Sequence, residues 1–372
     1  MHQEGSDEVK ACQGGAGDAP GDGADSRATA GAVSGHQGLA LWTRLPVVAA
    51  KLAQMFAAAS RPGVYVCRGE GWQQQVQTLL GQLSATEQLG VLATTVGADG
   101  EYDAWQAAPV QTILRRVETP WLPVLLDLAN PAAPGGMVAH FQPIVDLHRH
   151  QVVAFEALMR GQVDGHLYNA GQIIDAARAH DALFQFDQQA RTTAIRQGVP
   201  LLLAGESLFI NFNPSVIYDP KVCLRATWRA AQELGCPMSR LVFEVVECER
   251  FPDIDRLRSI LDAYRDMGAH VALDDLGAGH TALTYIDALQ PDLIKLDRGL
   301  LPRDPRPANL SLLRGIVDHA HGRGIRVLVE GIETQAQAEA VTAIACDLGQ
   351  GWYYGKPAPS MLRQTLPVTA AA

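Results

Sequence analysis

Apolar residues follow three regimes along the chain. Residues 1–40 are rich in Gly, Ala, Ser and Asp and hold almost no large apolar side chains. Burial cannot offset the entropy of ordering such a segment, so a disordered N-terminal tail is expected. Over 41–130, Leu45, Val48, Leu52 and Phe56 repeat at helical spacing within 43–59. A β-type run, Gly63 to Cys67, follows Pro62. Then 70–83 reads as helix, Val91–Val96 as strand, 106–118 as helix and Trp121–Asp127 as strand. This alternation predicts a small α/β domain, a place for a regulatory signal or a partner protein. Pro-Ala-Ala-Pro-Gly-Gly-Met at 131–137 reads as a linker.

From 138 to 368 the pattern becomes regular. Short apolar runs at Val138–Leu147, Val152–Leu158, Leu208–Phe212, Leu241–Val246, His270–Leu273, Leu293–Leu296, Ile325–Val329 and Gly351–Tyr354 alternate with helix-like segments. Strands that alternate with helices form a mostly parallel sheet. Eight of them in this length predict an α/β fold of the TIM-like (β/α)8 barrel type. The first two runs are too close for a crossover helix and read as a hairpin, so one strand should run antiparallel.

Composition narrows the class. Hydrophobic residues are 47% and charged residues 19%, enough to build cores. With 40 acidic against 30 basic residues the net charge is −10, which argues against binding a nucleic-acid polymer. Six scattered cysteines without C-x-x-C spacing indicate reduced thiols, not a zinc module or a disulfide scaffold. No run of about 18 apolar residues is present, so no membrane span is expected. Glu4, Asp7 and Glu8 stand where a signal peptide needs positive charge, so a cytoplasmic location is expected.

The candidate chemistry lies where the apolar runs end. Glu156, Asn211, Glu244, Asp274 with Asp275, Lys295, Glu330 and Gln350 follow one another through successive runs. In a parallel barrel these ends converge on one face, where active sites sit. So many carboxylates at one mouth repel unless a cation is shared. Oxygen donors suit Mg²⁺ or Mn²⁺, and their number suits two ions about 3.5–4 Å apart, as in phosphoester hydrolysis. Taken singly, Asp274 or Asp275 also reads as a cap for a helix near Thr281. Lys295 reads either as a donor to hydroxide or phosphate, or as a salt bridge to Asp297 or Asp292.

Seven ordered blocks carry a family resemblance. They are Phe141-Gln142-Pro143-Ile144-Val145-Asp146-Leu147 with Glu156-Ala157-Leu158-Met159-Arg160; Asn211-Phe212-Asn213-Pro214; Glu244-Val245-Val246-Glu247; Asp274-Asp275-Leu276-Gly277-Ala278-Gly279; Ile294-Lys295-Leu296-Asp297; Glu330-Gly331-Ile332-Glu333-Thr334; and Gln350-Gly351-Trp352-Tyr353-Tyr354-Gly355-Lys356-Pro357. Together they resemble the EAL domains, phosphodiesterases that open cyclic di-GMP to linear pGpG.

The resemblance implies a barrel with one antiparallel strand and a homodimer formed through it. It implies a first metal held by Glu156, Asn211, Glu244 and Asp274. Asp274, Asp275 and Glu330 would serve a second, with Glu330 as general base and Lys295 orienting the water. Gln142, Arg160 and Gln350 would contact substrate or its water. Glu333 would brace the loop that carries Gly277 and Gly279. Three positions depart from the family pattern: Gly161 in place of Trp, Leu276 in place of Phe, and His280 in place of Tyr. An inactive cyclic di-GMP receptor or an interaction module is the alternative reading. No G-G-D-E-F-like stretch is present, so cyclase activity is not expected.

Overall fold

The computed structural model describes residues 37–127, 136–245, 253–276 and 280–363. The expected tail up to residue 36, most of the expected linker, Val246–Glu247 and Gly277–Gly279 lie outside them.

The first unit has strands β1 (Gly38–Thr43), β2 (Ala57–Ala58), β3 (Tyr65–Arg68), β4 (Val91–Val96) and β5 (Ala108–Pro109). Its helices are α1 (Pro46–Met55), α2 (Trp72–Gly81), α3 (Ala85–Leu89) and α4 (Val110–Glu118). The sheet order is β2-β3-β1-β4-β5, and every pairing is antiparallel. The helices are therefore not parallel crossovers, and the unit is α+β in kind rather than wound α/β. Its central strand, β1, begins inside the segment expected as tail. Leu39, Ala40 and Leu41 are wholly buried there between β3 and β4.

The run Trp121–Asp127, expected as a strand, is instead helix α5 (Trp121–Leu125). A seven-residue apolar run does not separate strand from helix by periodicity. Leu122, Leu125 and Leu126 stand at helical spacing, and all three are fully buried. Pro123 is tolerated because it sits in the first turn, where its missing N–H has no partner to lose.

The second unit has strands β6 (Met137–Asp146), β7 (Gln151–Val163), β8 (His166–Asn169), β9 (Ser207–Phe212), β10 (Leu241–Val245), β11 (His270–Leu276), β12 (Leu293–Leu296), β13 (Arg326–Val329) and β14 (Leu348–Gln350). Its helices are α6 (Ala170–Ala179), α7 (Leu183–Gly198), α8 (Pro220–Cys223), α9 (Arg225–Glu233), α10 (Ile254–Asp266), α11 (His280–Leu289), α12 (Ser311–His321) and α13 (Gln335–Ala343). Eight of the described strands close a barrel in the order β6-β14-β13-β12-β11-β10-β9-β7, with β7 returning to β6. As expected, one strand is reversed: β6 pairs antiparallel with both β7 and β14. β8 extends β7 outside the barrel.

The last strand lies earlier than the expected Gly351–Tyr354, which forms a turn. Gly351 lies so near the backbone of Ile332 that a Cβ would stand 2.1 Å from its carbonyl oxygen. That approach ends the strand.

Alternation along the strands sets up two cores. Outward residues pack under the helices, while Ile144, Ala154, Phe209, Val242, Ala272, Leu293, Leu328 and Leu348 fill the lower barrel, one from each strand. The α5 leucines belong to the outer core of the barrel, not to the core of the small sheet. Trp121 stacks on Tyr168 with centroids 3.8 Å apart. A Cβ on Gly161 would meet Leu125 Cδ2 at 2.6 Å, so α5 fills the space beside Arg160 that a larger residue would claim.

This packing gives a paired expectation. A chain cut to begin at residue 131 loses α5 and forfeits about 2 kcal/mol for each of the three buried leucines. Gly161→Trp should lower the urea midpoint of the full chain, by overpacking against Leu125, yet raise that of the cut chain by refilling the space. The same sign of effect in both chains would show that Leu125 does not occupy this position.

Candidate active site

Two residues above the apolar layer, each barrel strand offers a polar side chain to the interior. The positions are Gln142, Glu156, Asn211, Glu244, Asp274, Lys295, Glu330 and Gln350. Their spacing follows from strand geometry, since side chains on one face recur every second residue. Gln142 belongs to this ring because β6 is reversed. Its end nearest the mouth is its N-terminal end, so a search of C-terminal ends alone passes over it.

The ring is tied together by hydrogen bonds. Asn211 Nδ2 donates to Glu156 Oε1 at 2.7 Å, and Gln350 Nε2 donates to Glu156 Oε2 at 2.7 Å. Gln350 Nε2 also donates to Gln142 Oε1 at 3.2 Å, and Gln142 Nε2 to the Gly355 carbonyl at 3.1 Å. Arg160 lies on the same face of β7 as Glu156, four residues further toward the mouth, with Nη1 donating to the Met159 carbonyl at 2.8 Å.

Lys295 is 1% exposed at the centre. Its Nζ lies 2.7 Å from Glu330 Oε1, 3.1 Å from Glu244 Oε1, 3.1 Å from Asp274 Oδ1 and 3.5 Å from Glu156 Oε2. The simpler salt bridge to Asp292 or Asp297 is not made. Asp292 accepts from the Val271 N–H at 2.8 Å, and Asp297 from the Gly299 N–H at 2.7 Å.

Two adjacent aspartates on a regular strand would face opposite ways. Here the register of β11 shifts between Leu273 and Leu276, and Asp275 has φ +54°, in the left-handed region. The irregularity turns both residues toward one place. One oxygen each from Asp274, Asp275 and Glu330 lie within 4.8 Å of one another, as do one each from Glu156, Glu244 and Asp274. Asp274 is shared by both clusters. Its Oδ1 accepts from the Asp275 N–H at 2.9 Å.

The charges perturb one another strongly. Burial raises the Glu244 carboxyl well above its ordinary range, and Glu156, Asp274 and Glu330 add to this against the pull of Lys295. Burial also moves Asp274 to about 6 and Glu330 to about 7, again opposed by Lys295. For Glu156 burial acts upward too, but Lys295, Gln350 and Asn211 outweigh it and its pKa is lowered. Burial opposes the charge on Lys295, yet its four carboxylate neighbours hold its pKa well above the usual lysine value.

The donor set fits divalent cations. Asn211 Oδ1 and Gln350 Oε1 are buried without a hydrogen-bond partner, as are both carboxylate oxygens of Glu244, which has only ion-pair proximity to Lys295. Buried oxygens are rarely left in this way. Five carboxylates and one ammonium leave four formal negative charges, the number that two divalent cations cancel.

Glu333 lies apart from the ring, exposed, with Oε1 3.8 Å from Arg298 Nη2. Gly277 and Gly279, the loop glycines it was expected to brace, lie outside the described residues. Leu276 is 1% exposed and joins the outer core, so its side chain keeps a packing role. Asp187 and Arg191 of α7 form a buried ion pair under the β9 end of the site. Their i,i+4 spacing in sequence looks like an ordinary surface pair, and only burial distinguishes it.

The EAL domain family model matches residues 128–357. The bifunctional diguanylate cyclase/cyclic di-GMP phosphodiesterase MucR of Pseudomonas aeruginosa is 28% identical over 243 residues, covering 64% of this chain and 36% of that protein. The cyclic di-GMP phosphodiesterase NbdA of the same organism is 29% identical over 225 residues, covering 59% and 29%. This chain thus spans about a third of the length of these curated relatives. The crystal structure of a standalone EAL protein from Vibrio cholerae O395, in its c-di-GMP bound form, is 31% identical with a TM-score of 0.55, covering 60% of this chain and 93% of that one. The matched stretch is more than half of the chain and contains both oxygen clusters, so this chain belongs to the EAL domain family.

Proposed function

We propose that this protein is a metal-dependent phosphodiesterase that hydrolyses cyclic di-GMP to linear pGpG. The observation that carries this reading is the pair of oxygen clusters sharing Asp274 inside a ring of polar residues. Family membership and relatives named as cyclic di-GMP phosphodiesterases support the substrate.

In this reading Glu156, Asn211, Glu244 and Asp274 hold one Mg²⁺ or Mn²⁺, and Asp274, Asp275 and Glu330 hold a second. Such ions supply electrostatic stabilisation of charge on the phosphoryl oxygens. Lys295, kept protonated by its carboxylate neighbours, donates to the attacking water or a phosphoryl oxygen. Glu330, beside Lys295 at the edge of the second cluster, is the carboxylate placed to act as general base. It takes the proton of the attacking water, whose oxygen attacks phosphorus in line and breaks the bond to the ribose 3′ oxygen; that oxygen takes up a proton from solvent and becomes the 3′ hydroxyl of pGpG. Gln142, Gln350 and Arg160 line the wall from β14 through β6 to β7 and contact the substrate. The Arg160 fork suits a phosphate or a guanine edge. The small sheet leads through α4 into α5, whose Leu125 lies against Gly161 next to Arg160, and in this reading it carries an input signal or a partner to the barrel.

Among the described residues, no helix is long and apolar enough to cross a membrane.

Purified protein incubated with cyclic di-GMP and Mg²⁺ or Mn²⁺ should yield pGpG by chromatography. EDTA should abolish the product, and Glu156→Ala should lower kcat/KM by at least about 100-fold while the fold survives. Binding of intact ligand without product would instead make the protein a receptor.

Stability should also depend on metal and pH together. Asp274 and Glu330 have folded values raised above their unfolded ones. The stability they contribute is full below the unfolded carboxylate values and is lost as pH rises to about 7. In EDTA, Tm should fall between pH 5 and pH 8, and saturating Mn²⁺ should oppose that fall. The gap in Tm between the two conditions should therefore widen with pH. A gap that is constant or narrows would sink the assignment of cations to these carboxylates.

A further inference from the structure

Behind the β9 edge of the site lies a buried charge pair that the proposed chemistry does not use. Arg191 is 0% exposed and Asp187 is 4% exposed, both on α7. Asp187 Oδ2 accepts from Arg191 Nε at 2.9 Å and from Nη2 at 2.7 Å. Arg191 Nη1 donates to Thr227 Oγ1 of α9. A buried ion pair gains little over apolar packing of the same volume, and this one has a further partner in the backbone beside the site. The second oxygen, Asp187 Oδ1, accepts from the backbone N–H of Asn213 at 2.8 Å.

Asn213 stands two residues beyond Asn211, where the chain leaves β9 and turns through Pro214–Val216. Its own side chain starts that turn by accepting from the Ser215 N–H at 2.9 Å. Asn211 pairs with Glu244 in register across β9 and β10. The ring of Tyr264 stacks on Phe243 at 4.1 Å and packs against Phe212, the neighbours of those two ligands in sequence. The helix layer thus grips the outward side of the two strand ends whose inward side offers Asn211 and Glu244.

We infer that Asp187 is a positioning residue for the metal site. It anchors the chain just past Asn211, and so aims Asn211 Oδ1 into the cluster of Glu156, Glu244 and Asp274. This rests on the metal reading proposed above. Asp187→Asn breaks the arrangement because an amide must turn its NH₂ toward either Arg191 or the Asn213 N–H, which are both donors.

The test is titration of the EDTA-stripped full chain with Mn²⁺ alone by calorimetry, alongside Tm. Asp187→Asn should weaken Mn²⁺ binding at least fivefold. Thr227→Val removes another partner of Arg191 without touching Asn213, so it should lower Tm while leaving the Mn²⁺ Kd within twofold of wild type. If Asp187→Asn does not fold, Asp187→Leu combined with Arg191→Met removes both charges and the acceptor, and should show the same weakening. A wild-type Mn²⁺ Kd in a folded variant lacking the Asp187 carboxylate overturns the inference and leaves the metal reading standing. Absence of Mn²⁺ binding in the wild-type chain overturns the metal reading, and with it this one.

Discussion

One buried ammonium organises the interior of this barrel. Lys295 stands within ion-pair distance of four carboxylates, in a place from which water is almost wholly excluded. A lone charge in such a position costs several kcal/mol or more in effective terms, so neither the lysine nor the carboxylates persist there without the other. One ammonium is still too little for the carboxylates around it. Glu244, Asp274 and Glu330 all have raised pKa values despite its presence. The site is thus electrostatically incomplete, and its unpartnered oxygens belong to the same deficit.

The barrel makes that arrangement possible by separating two layers. Eight apolar side chains close its lower interior, and eight polar side chains two residues further along the strands form the ring above. The lower layer excludes water from beneath and rigidly spaces the strands. Each ring residue then needs no loop to position it. Asp275, outside this ring, reaches the site only because β11 is irregular there and its backbone adopts a left-handed conformation.

The small antiparallel sheet does not merely precede the barrel. Its chain runs on through α4 and into α5, whose leucines complete the core beneath the barrel helices. At the same junction Arg116 of α4 reaches Asp181 at 2.6 Å and Thr119 meets His180 at 3.1 Å, just past the end of α6. The absence of a side chain at Gly161 is matched by the presence of Leu125. Leu125, from a helix that precedes the barrel in the chain, takes up the space a side chain at position 161 would claim.

Much of this was legible in the residues themselves. Short apolar runs alternating with helical segments mark the barrel, and the polar residue at the end of a run marks the ring. The hairpin at β6 and β7 is visible in the shortness of its turn. Other features depend on contacts remote in sequence. Trp121–Leu125 is helix and not strand because its leucines have a barrel face to fill. β14 lies at Leu348–Gln350 because Gly351 meets Ile332. Lys295 joins four distant carboxylates in preference to its neighbours Asp292 and Asp297. The buried Asp187–Arg191 pair looks like any surface pair until α9 and the β9 turn close over it. Sequence alone determined which side chains the regular strands turn inward, since that follows from backbone geometry, with Asp275 on the irregular stretch of β11 the exception. Only the closed tertiary structure decided which of them share charge, because burial and proximity set those interactions.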